Sequence, residues 1–88
     1  MSKSIKLLER LLRRPSDFTF KELETLLLGL GFVLSKAGKT SGSAVRFINH
    51  DTKQIIRVHK PHPNPELKSY AVSYIISELK KGGYIDGR

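Results

Sequence analysis

The chain has 88 residues, which is enough for one small domain with a modest hydrophobic core. Sixteen lysines and arginines against eight acidic residues give it a formal net charge of +8. This imbalance favours a polyanionic partner, which could be nucleic acid, an acidic protein or an anionic membrane surface, and for so small a domain we favour nucleic acid. The chain has no cysteine, so disulfides and thiolate metal sites are excluded.

The sequence also argues against a membrane-spanning or secreted protein. No apolar run approaches the roughly 18 residues that a transmembrane helix requires. The basic, amphipathic N-terminus lacks the apolar core and the cleavage site of a secretory signal. We therefore expect a cytoplasmic protein.

The first predicted element is an amphipathic helix over residues 2–14. Its apolar residues recur at helical spacing and would form one face: Ile5, Leu8, Leu11 and Leu12. Pro15 ends the pattern, because the residue before a proline is disfavoured in the helical conformation. We treat residues 1–15 as an N-terminal helix that precedes a domain over residues 16–85.

A second helix is predicted to start after Thr19. Thr19 and Glu22 have the identities and spacing of a capping box, in which each side chain accepts a hydrogen bond from the other residue's backbone. Gly29 and Gly31 mark the end of this helix, since glycine readily adopts the left-handed conformation that terminates helices.

Three short strands are predicted next, over residues 32–36, 44–49 and 54–59. Each alternates apolar and polar side chains, and the short connections between them favour an antiparallel meander. The aromatic residues Phe32 and Phe47 fall on the core side, so the sheet lacks the exposed aromatic platform that many single-strand binders use.

The last predicted element is a helix capped by Asn64, with Pro65 at its first position. Its predicted apolar stripe consists of Leu67, Tyr70, Ala71, Tyr74, Ile75 and Leu79. The complete order predicts an α+β two-layer sandwich. Its α-β-β-β-α part has the topology of a double-stranded-RNA-binding domain, with an extra helix at the N-terminus.

The most distinctive segment is "RVHKPHPNPELK", residues 57–68. It brings His59, Lys60 and His62 to the end of a strand and the predicted start of a helix, where a phosphate could bind with help from Lys68. The alternative is that its prolines shape a tight connection and the histidines are incidental. His59 and His62 alone are too few ligands for a metal ion, so we expect no metal and no cofactor.

With these segments in view, the chain resembles the HicA family, also called YcfA-like. The resemblance runs from about residue 19 to residue 81. It rests on "LLLGLGF" at the join between helix and strand, on the "GSxxxF" opening of the second strand, and on "HPxxELK" at residues 62–68. It implies a small, basic mRNA endonuclease with a double-stranded-RNA-binding-like fold, neutralised by a HicB antitoxin.

The resemblance also exposes a departure. The family pattern has "GSH" where this chain has Gly42, Ser43 and Ala44, so the catalytic histidine of the family falls on Ala44. Cleavage of RNA by internal attack needs a base for the 2′-hydroxyl proton and an acid for the leaving oxygen. Histidine suits both roles near neutral pH, and alanine suits neither.

Three accounts of Ala44 follow. It could be an engineered knockout, or native to a branch in which His59 or His62 does the proton transfer. In the third account the protein has lost cleavage but still binds RNA or its antitoxin. In the toxin interpretation, phosphates would be held by Lys39, Arg46, Lys60 and Lys68, and Ser43 would orient the opening of the strand. The alternatives are a non-catalytic RNA- or DNA-binding module and an adaptor bound only by an acidic protein.

Overall fold

A computed structural model describes residues 3–36, 44–61 and 63–85. The chain is α+β, as predicted. Its elements are α1 (Lys3–Leu12), α2 (Phe20–Gly29), β1 (Val33–Lys36), β2 (Ala44–Asn49), β3 (Gln54–His59) and α3 (Ser69–Lys81). The strands form one antiparallel sheet in the order β1-β2-β3, which is the predicted meander, and the elements from α2 to α3 follow the predicted α-β-β-β-α order.

The hydrophobic core lies between the sheet and the helices. Strands β2 and β3 bury alternate residues, because successive side chains of a strand point to opposite faces. The buried strand residues are Val45, Phe47, Ile56 and Val58. They pack in one cluster with buried leucines of α2 and with aliphatic residues of α3. The helices therefore cover one face of the sheet and leave the other face open.

The capping box at the start of α2 is confirmed. The backbone N–H of Glu22 donates to Thr19 Oγ1 at 3.1 Å, and Glu22 Oε1 accepts from the backbone N–H of Thr19 at 2.9 Å. The Glu22 carboxylate also accepts from Arg10 of α1 at 3.1 Å, and Arg10 donates to Asp17 at 2.7 Å. One carboxylate thus caps α2 and ties it to α1.

Helix α1 packs antiparallel on α2. Arg10, near its end, reaches the first turn of α2, and Ser4, near its start, lies against Gly29 at the end of α2. The approach at Gly29 is close: an added Cβ would lie 2.5 Å from the Cβ of Ser4, so only glycine fits there. The boundary predicted after residue 15 stays a prediction.

The apolar face predicted for α1 is only partly buried against the domain. Leu11 is fully buried and Leu8 packs against the core, but Ile5 and Leu12 are exposed. The helix is rotated so that Ser4 faces α2 at Gly29, where the close approach admits only a small side chain.

The predicted start of the last helix is wrong. Helix α3 begins at Ser69, with Lys68 as its N-cap residue, so Asn64 and Pro65 lie outside it. The backbone of residues 65–67 is instead paired with residues 18–20: Phe20 N–H donates to the Pro65 carbonyl at 3.0 Å, and Leu67 N–H donates to the Phe18 carbonyl at 2.8 Å. A phosphate near residues 64–66 would therefore not meet a helix N-terminus.

The predicted apolar stripe of α3 is also partly wrong. The buried residues are Val72, Ile75, Ile76 and Leu79. Tyr70 is 72% exposed and Tyr74 is 38% exposed, although both belong to the predicted stripe. Two overlapping stripes satisfy helical spacing in this segment, and the helix buries the one made of aliphatic residues.

Candidate nucleic-acid interface

The open face of the sheet carries three rows of side chains that run across the strands. The first row is apolar and consists of Val33, Ile48 and Ile55. The second consists of Ser35, Arg46 and Arg57, and the third pairs Ala44 with His59. All eight are partly or fully exposed, as expected for the side of the sheet that the helices do not cover.

Position 44 and His59 are directly opposite each other on β2 and β3. Side chains opposite each other on antiparallel strands have Cβ atoms about 4.5–5.5 Å apart. His59 is exposed and ends β3. The His59 imidazole on β3 is therefore directly adjacent to position 44, where the family pattern has histidine.

Arg46 and Arg57 form the neighbouring cross-strand pair. Within residues 3–36, 44–61 and 63–85, neither forms a salt bridge, and the buried Nε of Arg46 has no hydrogen-bond partner. Like charges directly opposite each other destabilise a sheet. The pair therefore places two cations side by side without a counter-charge from the described residues.

Lys60 and Lys68 lie beside the edge of β3. Both line a cleft of about 280 Å³ with His59, Pro61, Leu67, Tyr70 and Ala71. Lys60 leaves the open face and lies over the Phe20 ring, with its Nζ 5.6 Å from the ring centroid. His59 is thus the residue at which the open face and this edge cleft meet.

The predicted site residues are only partly brought together. Ala44, His59 and Arg46 share the open face, and Lys60 and Lys68 share the edge cleft with His59. Lys39, Ser43 and His62 lie outside the described residues.

The sequence interpretation missed Arg57 and Tyr70. The alternation that placed Arg57 on the face of His59 was available, but the register that places it opposite Arg46 was not. Tyr70 was assigned to the core on helical spacing alone.

Across the described ranges, no group of three or more histidine, aspartate or glutamate side chains could hold a metal ion. In the same part of the chain, no helix has the length and apolar character needed to cross a bilayer.

Comparison with known proteins decides the family. The sequence model of a family described as "HicA toxin of bacterial toxin-antitoxin" matches residues 20–83, which is well over half of the chain. The chain belongs to the HicA toxin family. No curated protein gives a significant match, and neither does any solved structure.

Membership of the HicA family makes the chain the toxin of a toxin–antitoxin pair, which implies an antitoxin as its partner. The matched residues contain the whole sheet, the edge cleft and α3. Helix α1 lies outside them, so this HicA toxin has one helix in addition to the region that the family model matches.

Proposed function

We propose that this HicA toxin is an mRNA endoribonuclease that binds RNA across the open face of its sheet and the edge cleft. In this proposal His59 supplies the proton transfer that the histidine at position 44 supplies in the family pattern. The observation that carries the proposal is the pairing of Ala44 with His59. A catalytic side chain on β3 can reach the same phosphate as one on β2, because the two positions are adjacent on one face of the sheet.

The chemistry needs little more than placed proton-transfer groups and positive charge. A base removes the proton of a 2′-hydroxyl, and the oxygen attacks the adjacent phosphorus. The bond from phosphorus to the 5′-oxygen breaks, and an acid protonates that oxygen. The products are a 2′,3′-cyclic phosphate and a 5′-hydroxyl. General acid–base help of this kind contributes roughly 10² to 10⁴-fold in rate.

We assign the arginine pair the role of stabilising the negatively charged transition state. Arg46 and Arg57 lie one row along from His59 on the same face. Negative charge builds on the phosphoryl oxygens during attack, and preorganised cations beside it stabilise the transition state. A phosphate between the two guanidinium groups would also relieve their mutual repulsion.

His62, Lys39 and Ser43 stay in the proposal on sequence grounds. His62 is the second candidate for proton transfer, Lys39 for phosphate binding and Ser43 for orienting the opening of β2. None of the three lies in the described part of the chain.

The second candidate function is a non-catalytic RNA- or DNA-binding module. The observation that favours it is Ala44 itself, which has no group that transfers a proton. In that case the open face of the sheet would bind nucleic acid or the antitoxin without cleaving RNA.

The deciding experiment compares the wild type with Ala44→His, His59→Ala and His50→Ala on labelled RNA in excess EDTA. We expect the wild type to cut RNA and His59→Ala to lose roughly 10² to 10⁴-fold in rate. His50 is an exposed turn residue beyond the other end of β3, so His50→Ala is the matched control and should cut normally. Ala44→His should restore cleavage to the His59→Ala variant.

Other outcomes separate the accounts of Ala44. Cleavage by Ala44→His alone would mean that this chain is a disabled toxin whose catalytic position is 44. If neither the wild type nor Ala44→His cuts RNA while both still bind it, the protein is a binding module and the endoribonuclease is rejected.

We further propose that the antitoxin is of the HicB type and covers the open face of the sheet. We also propose that the pair acts in the cytoplasm, where mRNA is located. The net charge of +8 supports an acidic partner, since complementary charge speeds association. Addition of the antitoxin should stop RNA cleavage. An antitoxin that binds while RNA is still cut would contradict this arrangement.

A further inference from the structure

The edge cleft contains an aromatic side chain to which neither the family match nor the proposed chemistry gives a role. Tyr70 lies in the first turn of α3 and lines the cleft with His59, Lys60 and Lys68. It is 72% exposed, which makes it the most exposed large hydrophobic side chain in the described ranges. Its ring contributes little to the core and is open to a ligand from solvent.

The other two tyrosines have structural partners. The Tyr74 hydroxyl accepts from the backbone N–H of Arg57 at 3.4 Å, which ties α3 to the edge of β3. The Tyr84 hydroxyl accepts from the Asn49 amide, and its ring packs on Phe32 with centroids 5.4 Å apart. Tyr70 has no hydrogen bond and no ring contact with any described residue.

The charge around Tyr70 identifies the kind of ligand. Lys60 and Lys68 line the same cleft, and His59 stands where the cleft opens onto the sheet. None of the described carboxylates forms a salt bridge with either lysine. An exposed aromatic ring flanked by cations that no described carboxylate neutralises is a combination by which proteins bind single-stranded nucleic acid, with bases on the ring and phosphates at the cations.

We propose that Tyr70 stacks on the base of a nucleotide next to the phosphate cleaved at His59, while Lys60 and Lys68 bind the flanking backbone. The edge cleft is thus a nucleotide subsite that fixes the register of single-stranded RNA over the open face. The proposal rests on the proposed endoribonuclease function and adds a substrate class to it: unpaired RNA, whose bases are free to stack. Tyr70 acts here as a positioning residue.

The test measures binding of a 2′-fluoro RNA oligomer, which lacks the attacking hydroxyl, and of the same backbone without bases. Tyr70→Leu should weaken binding of the base-bearing oligomer by roughly 5 to 150-fold, because stacking on an aromatic ring is worth about 1–3 kcal/mol per base. Tyr70→Phe keeps the ring and is the matched control, with affinity within about twofold of the wild type. All three proteins should bind the abasic backbone equally.

Tyr70→Trp provides a second readout. The chain contains no tryptophan, so this substitution introduces a single indole at the subsite. Its fluorescence should change when the base-bearing oligomer binds and stay constant when the abasic backbone binds. An equal response to both oligomers would overturn stacking at Tyr70.

The outcomes separate this inference from the proposed function. If the wild type cuts RNA and Tyr70→Leu binds the base-bearing oligomer as tightly as the wild type, the subsite is wrong and the endoribonuclease stands. If Tyr70→Phe binds as weakly as Tyr70→Leu, the hydroxyl rather than the ring is the contact, and stacking is again overturned. If the wild type binds neither oligomer, the proposed function fails and the subsite fails with it.

Discussion

Arg46 and Arg57 carry the clearest conflict between stability and function at the scale of single residues. They lie opposite each other on the open face of the sheet, where two like charges destabilise the strand pairing. The proposed RNA-binding role gives a reason for placing two cations side by side, since a bound phosphate turns the repulsion into a shared attraction.

Arg57→Gln should therefore change stability and binding in opposite directions. We expect the free energy of unfolding to rise by up to about 0.5 kcal/mol, the usual size of a surface effect, because one member of the repelling pair is removed. RNA affinity should fall, and the slope of log affinity against log salt should lessen by about 0.7, the value for one lost phosphate contact on a single strand. Urea unfolding and a salt titration of RNA binding measure the two effects.

Lys80→Gln is the control for the substitution at Arg57. Lys80 is an exposed cation in the last turn of α3, at the opposite end of that helix from Tyr70. It should leave the salt slope unchanged. A loss of stability in Arg57→Gln without a change in salt slope would show that Arg57 has a structural role and no phosphate contact.

Sequence reasoning reached part of this site and missed part of it for a physical reason. Alternation along β3 placed Arg57 and His59 on one face without any structure. The register that sets His59 opposite Ala44 depends on the turn between β2 and β3, where Lys53 has a φ of 65°. Alternation alone leaves registers that differ by two residues equivalent, so it does not single out this pairing.

Helix α1 shows at the scale of elements how a segment outside the matched family region becomes part of the core. Leu11 is fully buried in the main cluster, while the adjacent Leu12 is 42% exposed. Arg10 ties the same helix to the capping carboxylate of α2. We infer that α1 stabilises the domain through Leu11 more than through its ion pairs, because partly exposed salt bridges contribute little.

Leu11→Ala and Leu12→Ala form a matched pair that tests this inference. They remove the same atoms from the same helix and replace them with the same residue, so their intrinsic helix preference cancels. Leu11→Ala should lower the free energy of unfolding by about 2–5 kcal/mol, the usual range for a buried leucine. Leu12→Ala should change it by less than about 1 kcal/mol. Urea unfolding followed by circular dichroism measures both, and equal effects would contradict the observed packing of α1.

The start of α3 was the element that the sequence predicted least well. Asn64 followed by Pro65 has the identity of a helix start, and local preference alone favours one there. Tertiary pairing prevails, because the backbone of residues 65–67 bonds to residues 18–20 and Leu67 is buried. By contrast, the capping box of α2 was predictable because both of its partners lie within four residues of each other.

The charge of the whole molecule is distributed unequally between its two layers. The three strands contain no aspartate or glutamate, while α1, α2 and α3 together contain Glu9, Glu22, Glu24 and Glu78. The helical side thus balances much of its positive charge internally. The three strands and the described lining of the edge cleft carry cations and no carboxylate, so the positive charge acts most strongly at the proposed RNA-binding surface.

Two variants of equal net charge test whether location or total charge governs RNA binding. One replaces Arg46, Arg57, Lys60 and Lys68 with glutamine, and the other replaces Lys3, Lys6, Lys80 and Lys81, so each lowers the formal net charge from +8 to +4. The first should lessen the salt slope of binding to single-stranded RNA by about 3, because four phosphate contacts are lost at about 0.7 each. The second should keep the slope within about 0.7 of the wild type, since its substitutions lie on the helical side. Equal losses in the two variants would mean that RNA responds to the total charge, and the surface assigned to the sheet and its edge cleft would then be wrong.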